Sequence, residues 1–80
     1  MVRNGDLIKI TDNKMLFWDE DGGLSWNVPR ESAFGLVLSN NKMSALGTPL
    51  IEFLWEGKVI SGFRPTTQTC WFEVINATEG

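Results

Sequence analysis

The sequence predicts an all-β chain: a small, five-stranded, strongly bent barrel with a long hairpin-like excursion after its first strand. Three observations predict this class. Short apolar segments alternate with period two, glycine, proline and acidic residues separate them, and no segment of useful length has the 3.6-residue period of a helix. The 80 residues contain no repeat and no linker, so we expect a single domain over 1–80.

The first strand is predicted over "LIKI", residues 7–10, directly after a Gly-Asp pair. Successive side chains of a strand point to opposite faces, so Ile8 and Ile10 are expected on one face and Leu7 and Lys9 on the other. The polar triplet "TDN" ends this strand, and the excursion follows it.

The excursion is predicted to be hairpin-like. Two apolar arms, 14–18 and 24–28, flank "DEDGG", whose acidic residues and glycines suit a turn with positive φ. A calcium-binding loop would need glycine at its sixth position and glutamate at its twelfth. Counted from Asp19, these positions hold Leu24 and Arg30, so the pattern excludes a calcium loop of this type.

The second strand is predicted over "AFGLVLSN", residues 33–40. Both of its alternating sets of side chains are largely apolar, which is typical of a strand that is covered on both faces. Gly35 within it predicts a bend or a β-bulge, as small barrels need at their corners. A loop of turn-forming residues, "NNKMSALGTP", follows this strand.

Three more strands complete the predicted barrel. "LIEFLW" (50–55) and "KVISGF" (58–63) flank a tight Glu56-Gly57 corner, and "CWFEVI" (70–75) follows the short polar turn "RPTTQ". Five strands with a long first loop, a medium second loop, a tight hairpin and a final turn are typical of SH3-like and Sm-like barrels.

Composition argues against several classes of function. The chain has no histidine and one cysteine, so an intrachain disulfide, a zinc site and an ordinary near-neutral acid–base group are not expected. The sequence has no glycine-rich phosphate loop and no base that would activate its serines. We therefore expect neither enzymatic activity nor a cofactor. Cys70 lies in an apolar segment, and we expect its thiol to be buried.

Charge and hydropathy set the expected location and partners. The sequence shows neither a signal peptide nor an apolar run of membrane-spanning length, so we expect a cytoplasmic protein without a membrane partner. Four Trp and five Phe are a heavy aromatic load for this length, and part of it is expected at an interface. The net charge of −3 gives no bulk basic field, so nucleic-acid binding would need a local patch or a symmetric ring.

Four segments, "GDLIKI", "FGLVL", "IEFLWEGK" and "WFEVI", resemble a family of small proteins of marine viruses of the cyanophage type, known largely from ocean metagenomes. The resemblance covers nearly the whole chain. That family is similar to Sm-like barrels, which assemble as closed rings and bind single-stranded RNA. The resemblance therefore implies a homo-oligomeric ring of roughly five to seven subunits that binds single-stranded RNA or DNA during viral nucleic-acid processing in the host cytoplasm.

In Sm-like proteins, two loops that meet near the pore carry the groups that contact RNA. Carried over by position, the resemblance implies six nucleic-acid-binding residues: Asn40, Asn41, Lys42, Arg64, Thr66 and Gln68. The second Sm motif usually has an apolar residue, a basic residue and glycine in series. At 60–62 serine stands at the basic position, and Arg64 is the candidate replacement for the basic residue. A guanidinium offers a planar fork of donors to phosphate or a stacking surface to bases.

The resemblance also implies where subunits meet. Ring formation in Sm-like folds pairs the fourth strand of one subunit with the fifth strand of the next, which covers edges that would otherwise invite aggregation. The residues implied for this contact are Val59, Ile60, Phe63, Trp71 and Phe72.

A second interpretation is an SH3-like module that binds protein, either as an adaptor or as a structural component of a virion. A surface of Trp18, Trp26 and Trp55 would then take a peptide or a subunit, and the basic residues near the pore would be incidental. The acidic total and the acidic turn favour this interpretation. The family resemblance and the two polar loops favour nucleic acid.

Overall fold

The computed structural model describes residues 2–26, 28–65 and 70–75. This part of the chain forms one antiparallel sheet in the order β2-β5-β4-β3-β1-β6. Its strands are β1 (Leu7–Ile10), β2 (Phe17–Asp19), β3 (Phe34–Met43), β4 (Pro49–Trp55), β5 (Lys58–Phe63) and β6 (Phe72–Val74). The all-β class is confirmed, with six strands in these residues instead of the predicted five. Within the described residues, no helix is long and apolar enough to cross a membrane.

β1 coincides with the predicted first strand. It pairs with β3 through Leu7↔Leu36 and with β6 through Ile8↔Val74. Ile8 and Ile10 are buried, whereas Leu7 lies on the outer face of the sheet. The predicted alternation of faces along this strand is therefore confirmed.

The excursion forms a hairpin, and one of its arms joins the sheet. β2 pairs antiparallel with β5, with Phe17 opposite Gly62. The return arm meets β2 at the bridge Trp18↔Leu24, and Gly22 has a φ of 89°, the positive value expected in this turn. The hairpin prediction is confirmed. β2 is the additional strand, and its three residues are too few for an alternation pattern to separate them from their loop.

β3 is ten residues long and extends into the segment that was expected to be a loop. Its register against β4 shifts between Val37 and Ser39 and again between Ser39 and Lys42. The irregularity expected at Gly35 therefore lies further along the strand. Gly35 instead permits close packing, because a Cβ atom there would lie 2.7 Å from Cδ2 of Phe53.

The corner between β4 and β5 is the predicted tight hairpin turn. Glu56 and Gly57 have φ values of 51° and 77°. Two positive φ values in succession define a type I′ turn, whose twist matches that of the flanking strands. The turn sets a continuous register over the whole of β5.

The core is built around three aromatic rings. Trp71 lies against Phe17 and Phe53, with ring centroids 5.3 and 5.5 Å away, and its indole Nε1 donates a hydrogen bond of 2.7 Å to the Phe63 carbonyl. The other core residues are Ile8, Ile10, Val37, Ile51, Trp55, Ile60 and Phe72. β2 and β6 stand at opposite ends of the strand order, yet residues from both ends share this core.

The outer face of β3 is uncovered in the described part of the chain. Phe34, Leu36 and Leu38 are 51, 40 and 38% exposed. The expectation that β3 is covered on both faces is therefore wrong for a single chain. The physical reason is that the other strands lie beside β3 in the same sheet and none lies across from its outer face.

Cys70 is exposed, so the expectation of a buried thiol is wrong. The residue lies two positions before β6, an edge strand, and the side chain of the next residue, Trp71, fills the core at this point. The Cys70 thiol donates a hydrogen bond of 2.8 Å to the Phe72 carbonyl.

Candidate binding groove

Three of the six residues predicted to bind nucleic acid, Asn40, Lys42 and Arg64, are brought together. Arg64 follows β5, and its Nη2 donates hydrogen bonds to the carbonyls of Lys42 at 2.8 Å and Leu50 at 3.1 Å. Its backbone N–H donates to the Pro49 carbonyl at 3.1 Å. The Arg64 side chain therefore ties the end of β3 to the start of β4. Its Nε is buried without a hydrogen-bond partner among the described residues.

Lys42 carries a paired charge. Its Nζ lies 2.7 Å from Oε2 of Glu52, and the two side chains are 38 and 20% exposed. An ion pair that is this accessible to solvent contributes about 0–1 kcal/mol to stability. It does reduce the positive potential that Lys42 offers to a phosphate group.

The two asparagines make contacts within the chain. The Asn40 side chain donates to the Val2 carbonyl at 2.7 Å, and its backbone N–H donates to Oδ1 of Asn4 at 3.1 Å. The Asn41 side chain accepts a hydrogen bond of 2.8 Å from the Ser39 hydroxyl. These amides thus help to fix the path of β3 beyond its bulges.

Asn40 and Arg64 line the same open pocket of about 580 Å³ beside β6. The other lining residues are Val2, Pro65, Cys70, Phe72 and Val74. Thr66 and Gln68, the remaining residues of the predicted nucleic-acid site, lie outside the described residues.

The residues predicted to form a subunit contact are divided between core and surface. Ile60, Trp71 and Phe72 are buried in the chain's own core, whereas Val59 and Phe63 are half-buried. The outer edge of β5 is itself occupied, because β2 pairs with it at residues 60–62. A ring built by adding a neighbour's strand to this edge would have to displace β2.

A groove of about 430 Å³ lies between the acidic turn after β2 and the segment that connects β3 to β4. Trp18, Leu50 and Ser61 line it from the strands. The two walls are formed by Asp19, Glu20, Asp21 and Gly22 on one side and by Lys42, Met43, Ser44, Ala45, Leu46 and Thr48 on the other. The groove thus combines an apolar base with one strongly acidic wall.

The acidic wall is held by Asp19. Its Oδ1 accepts hydrogen bonds of 3.0 Å from the backbone N–H groups of both Asp21 and Gly23. A short polar side chain that bonds to the backbone two residues on is a common way to fix a turn. Asp19 therefore acts structurally, and the exposed carboxylates of Glu20 and Asp21 supply the charge at the rim.

The opposite wall is a turn organised by Ser44. The Ser44 hydroxyl accepts hydrogen bonds from the backbone N–H groups of Leu46 at 3.3 Å and Thr48 at 3.0 Å. This turn presents Leu46, which is 95% exposed, and Met43, which is 58% exposed. The segment was expected to be a polar loop, and the apolar residues within "KMSAL" were the signal for this second wall.

The three tryptophans of the alternative peptide surface do not lie together. Trp18 lines the groove, with its ring held edge-on against Phe63 at a centroid distance of 5.1 Å. Trp26 is highly exposed, and Trp55 belongs to the core. The groove therefore has one aromatic residue from this set.

No protein-family model, curated protein or solved structure matches this chain. Within residues 2–26, 28–65 and 70–75, no group of three or more His, Cys, Asp or Glu side chains is placed to hold a metal ion. The groove offers apolar contact and negative charge, a combination that suits binding of a basic and partly apolar partner.

Proposed function

We propose that the protein is an SH3-like binding module whose groove takes a basic, partly apolar segment of another protein. The observation that carries this proposal is the acidic wall of Asp19, Glu20 and Asp21 beside a base formed by Trp18 and Leu50. Opposite charges across an interface steer encounter and fix register, while apolar contact supplies much of the affinity.

The strand order supports the barrel that this proposal assumes. Without β2, the order is β6-β1-β3-β4-β5, in which the first strand lies between the second and the last strand of a five-stranded barrel. The Phe17 and Trp71 rings lie 5.3 Å apart although they come from opposite ends of the sheet, and the backbone N–H of Thr11 donates to the Trp71 carbonyl at 2.8 Å. We infer that the sheet curls into a small barrel around these rings.

The chemistry of the groove defines its ligand. An arginine or lysine of the ligand would lie at Glu20 and Asp21, and an apolar or proline residue two or three positions away would pack on Trp18. Extended proline-rich segments suit such aromatic grooves because they lose little conformational entropy on binding. The half-buried face of Trp18 also attracts a cation through its ring quadrupole.

Reversing one charge at the rim is expected to weaken binding of a basic peptide at least tenfold. Glu20→Lys replaces attraction by repulsion at a site where charges are exposed, so the loss should be largest at low salt. The measurement is isothermal titration of a proline-containing peptide that carries two arginines, at about 50 and 150 mM salt.

Glu31→Lys is the matched control, because it makes the same change in net charge at an exposed position outside the groove. It should leave the dissociation constant within about twofold. If Glu20→Lys and Glu31→Lys weaken binding equally, the effect is one of net charge and the groove is not the site. If the parent protein binds no basic peptide from an arginine-containing library, the proposed function is wrong.

A second candidate function is binding of single-stranded RNA or DNA by a cyclic homo-oligomer, as the Sm-like resemblance implies. The contact between Arg64 and Lys42 and the pocket shared by Arg64 and Asn40 favour it. In a ring, these groups would repeat around one axis and offset the net charge of −3 locally. Because β2 covers β5, such a ring would have to form through other surfaces.

Lys42→Gln tests this second candidate. If Lys42 contacts a phosphate group, the variant should bind a short labelled RNA more weakly. The slope of log affinity against log salt concentration should also fall in magnitude by about one. Fluorescence anisotropy at several salt concentrations measures both effects. Lys58→Gln is the control, because it removes the same charge from a residue that lies over the Trp55 ring and is not among the predicted nucleic-acid-binding residues. Absence of RNA binding even at low salt would remove the nucleic-acid candidate and leave the groove.

A further inference from the structure

The turn that leads into β1 contains Asn4, the one asparagine of the chain that precedes a glycine. Both Asn4 and Gly5 are exposed. The backbone N–H of Asp6 donates a hydrogen bond of 3.1 Å to the Arg3 carbonyl, and Gly5 has a φ of 91°. A positive φ at the third position of a four-residue turn favours glycine. The fold therefore holds an Asn-Gly pair at the tip of an exposed turn.

An asparagine that precedes glycine can react with its own backbone. The backbone nitrogen of Gly5 attacks Cγ of Asn4, the bond from Cγ to Nδ2 breaks, and Nδ2 leaves as ammonia with the proton that the Gly5 nitrogen has lost. The product is a five-membered succinimide ring. Water then opens the ring at one of its two carbonyls and leaves aspartate or isoaspartate at position 4. Glycine favours the attack because it has no Cβ to obstruct the approach of its nitrogen.

The native turn restrains the nitrogen that would attack. The Gly5 N–H donates a hydrogen bond of 2.7 Å to the Val37 carbonyl, and the Val37 N–H donates one of 2.9 Å to the Asp6 carbonyl. These two bonds continue the contact between β1 and β3 into the turn. The Gly5 nitrogen must lose its proton to attack, so its bond to Val37 has to open first. Such local opening costs least at the ends of elements and in exposed turns.

The group under attack is held by a contact that favours the reaction. Oδ1 of Asn4 accepts a hydrogen bond of 3.1 Å from the backbone N–H of Asn40. A donor at this oxygen stabilises the negative charge that develops on it as the nitrogen attacks Cγ. The structure thus combines an activated Asn4 amide with a Gly5 nitrogen that becomes available when the turn opens.

We propose that Asn4 is a site of spontaneous deamidation, and that opening of the turn at residues 3–6 sets the rate of the reaction. The net charge of the chain would change from −3 to −3 − 1 = −4. Isoaspartate also lengthens the backbone by one methylene group, which would displace the side chain from Asn40. Asn40 lines the pocket that it shares with Val2 and Arg64, so the modification would alter one side of this pocket.

The test is peptide mapping by mass spectrometry of the full chain, sampled during incubation at constant pH and temperature with and without urea. Conversion adds the difference in mass between NH₂ and OH, and an isoaspartyl methyltransferase measures the isoaspartate. In the folded chain, Asn4 should convert about tenfold faster than Asn41, an exposed asparagine that precedes lysine. In urea, Asn4 should convert at least about fivefold faster than in the folded chain, because the hydrogen bond to Val37 is lost.

Asp6→Ala tests control by the turn without altering the reacting pair. Oδ2 of Asp6 accepts a hydrogen bond of 2.8 Å from the Arg3 N–H, and this bond helps to close the turn. Its removal should speed deamidation of Asn4 about fivefold, the factor that corresponds to one ordinary hydrogen bond. Circular dichroism checks that the variant is folded.

Asp12→Ala is the matched control for Asp6→Ala. It makes the same chemical change and removes an equivalent hydrogen bond, of 2.9 Å from the Lys14 N–H to Oδ1 of Asp12, in a different turn. The rate at Asn4 should stay within about twofold of the parent protein. The proposal is overturned if Asn4 does not convert in the folded chain or converts no faster than Asn41. Equal rates with and without urea, or equal rates in the two variants, would also overturn it.

Discussion

Trp71→Ala is expected to remove most of the stability of this protein. The side chain is almost completely buried, contacts the rings of Phe17 and Phe53, and donates its indole N–H to the Phe63 carbonyl. Truncating a buried tryptophan to alanine costs about 3–5 kcal/mol through lost burial and the cavity that remains. A domain has roughly 0.05–0.15 kcal/mol of stability per residue, so this loss is a large share of the total.

The measurement for Trp71→Ala is urea denaturation followed by circular dichroism, with thermal unfolding as a second readout. The midpoint temperature should fall by more than about 12 °C, since 1 kcal/mol corresponds to about 4–8 °C in a domain of this size. Trp26→Ala is the matched control, because it makes the same chemical change at a side chain that is 89% exposed. Equal stability of the two variants would show that Trp71 is not the centre of the core.

Gly62→Ala is expected to destabilise the protein by about 1–3 kcal/mol, the usual cost of overpacking a core. A methyl group at this position would lie 2.8 Å from Cζ2 of Trp71 and 3.1 Å from Cε1 of Phe17. Both rings are held edge to face within the core, so neither can retreat without opening a gap elsewhere. The gain from reducing the freedom of the unfolded chain is smaller, about 0.4–1 kcal/mol.

Gly23→Ala serves as the control for Gly62→Ala. Its methyl group would meet only the carboxylate oxygens of Asp19, at the ordinary contact distance of 3.8 Å. Its stability should stay within about 0.5 kcal/mol of the parent protein. Stabilisation by Gly62→Ala would mean that the three rings are packed loosely enough to accommodate a methyl group.

The elements that the sequence predicted well are those that local patterns specify. β1 follows from alternation alone, and the β4–β5 hairpin follows from two apolar segments separated by Glu-Gly. Gly35 was expected to mark a bend, although it makes room for the Phe53 ring of the neighbouring strand, as Gly62 makes room for the rings of Trp71 and Phe17. That role depends on which strands become neighbours, and no local pattern contains this information.

The candidate site could be predicted in part. The segment "DEDGG" predicts the acidic turn, and this turn, together with the net charge of −3 of the chain, favours a protein partner. The groove also needs Leu50 and the turn at Ser44, which are brought opposite the acidic turn only when β2 joins β5. The Lys42–Glu52 ion pair likewise depends on two register shifts in β3, and no residue pattern predicts their positions.

The pairing of β1 with β6 also governs how fast this protein can fold. Ile8 and Val74 are direct neighbours, yet 74 − 8 = 66 positions of chain separate them. The β4–β5 hairpin closes locally, on the order of 1–10 µs, whereas barrels dominated by distant pairings fold in milliseconds to seconds. We therefore expect the β4–β5 hairpin to form early and the β1–β6 pairing, which closes a long loop, to form later. Since Trp71 enters the core with β6, the change in its fluorescence should report the slow, final step of folding.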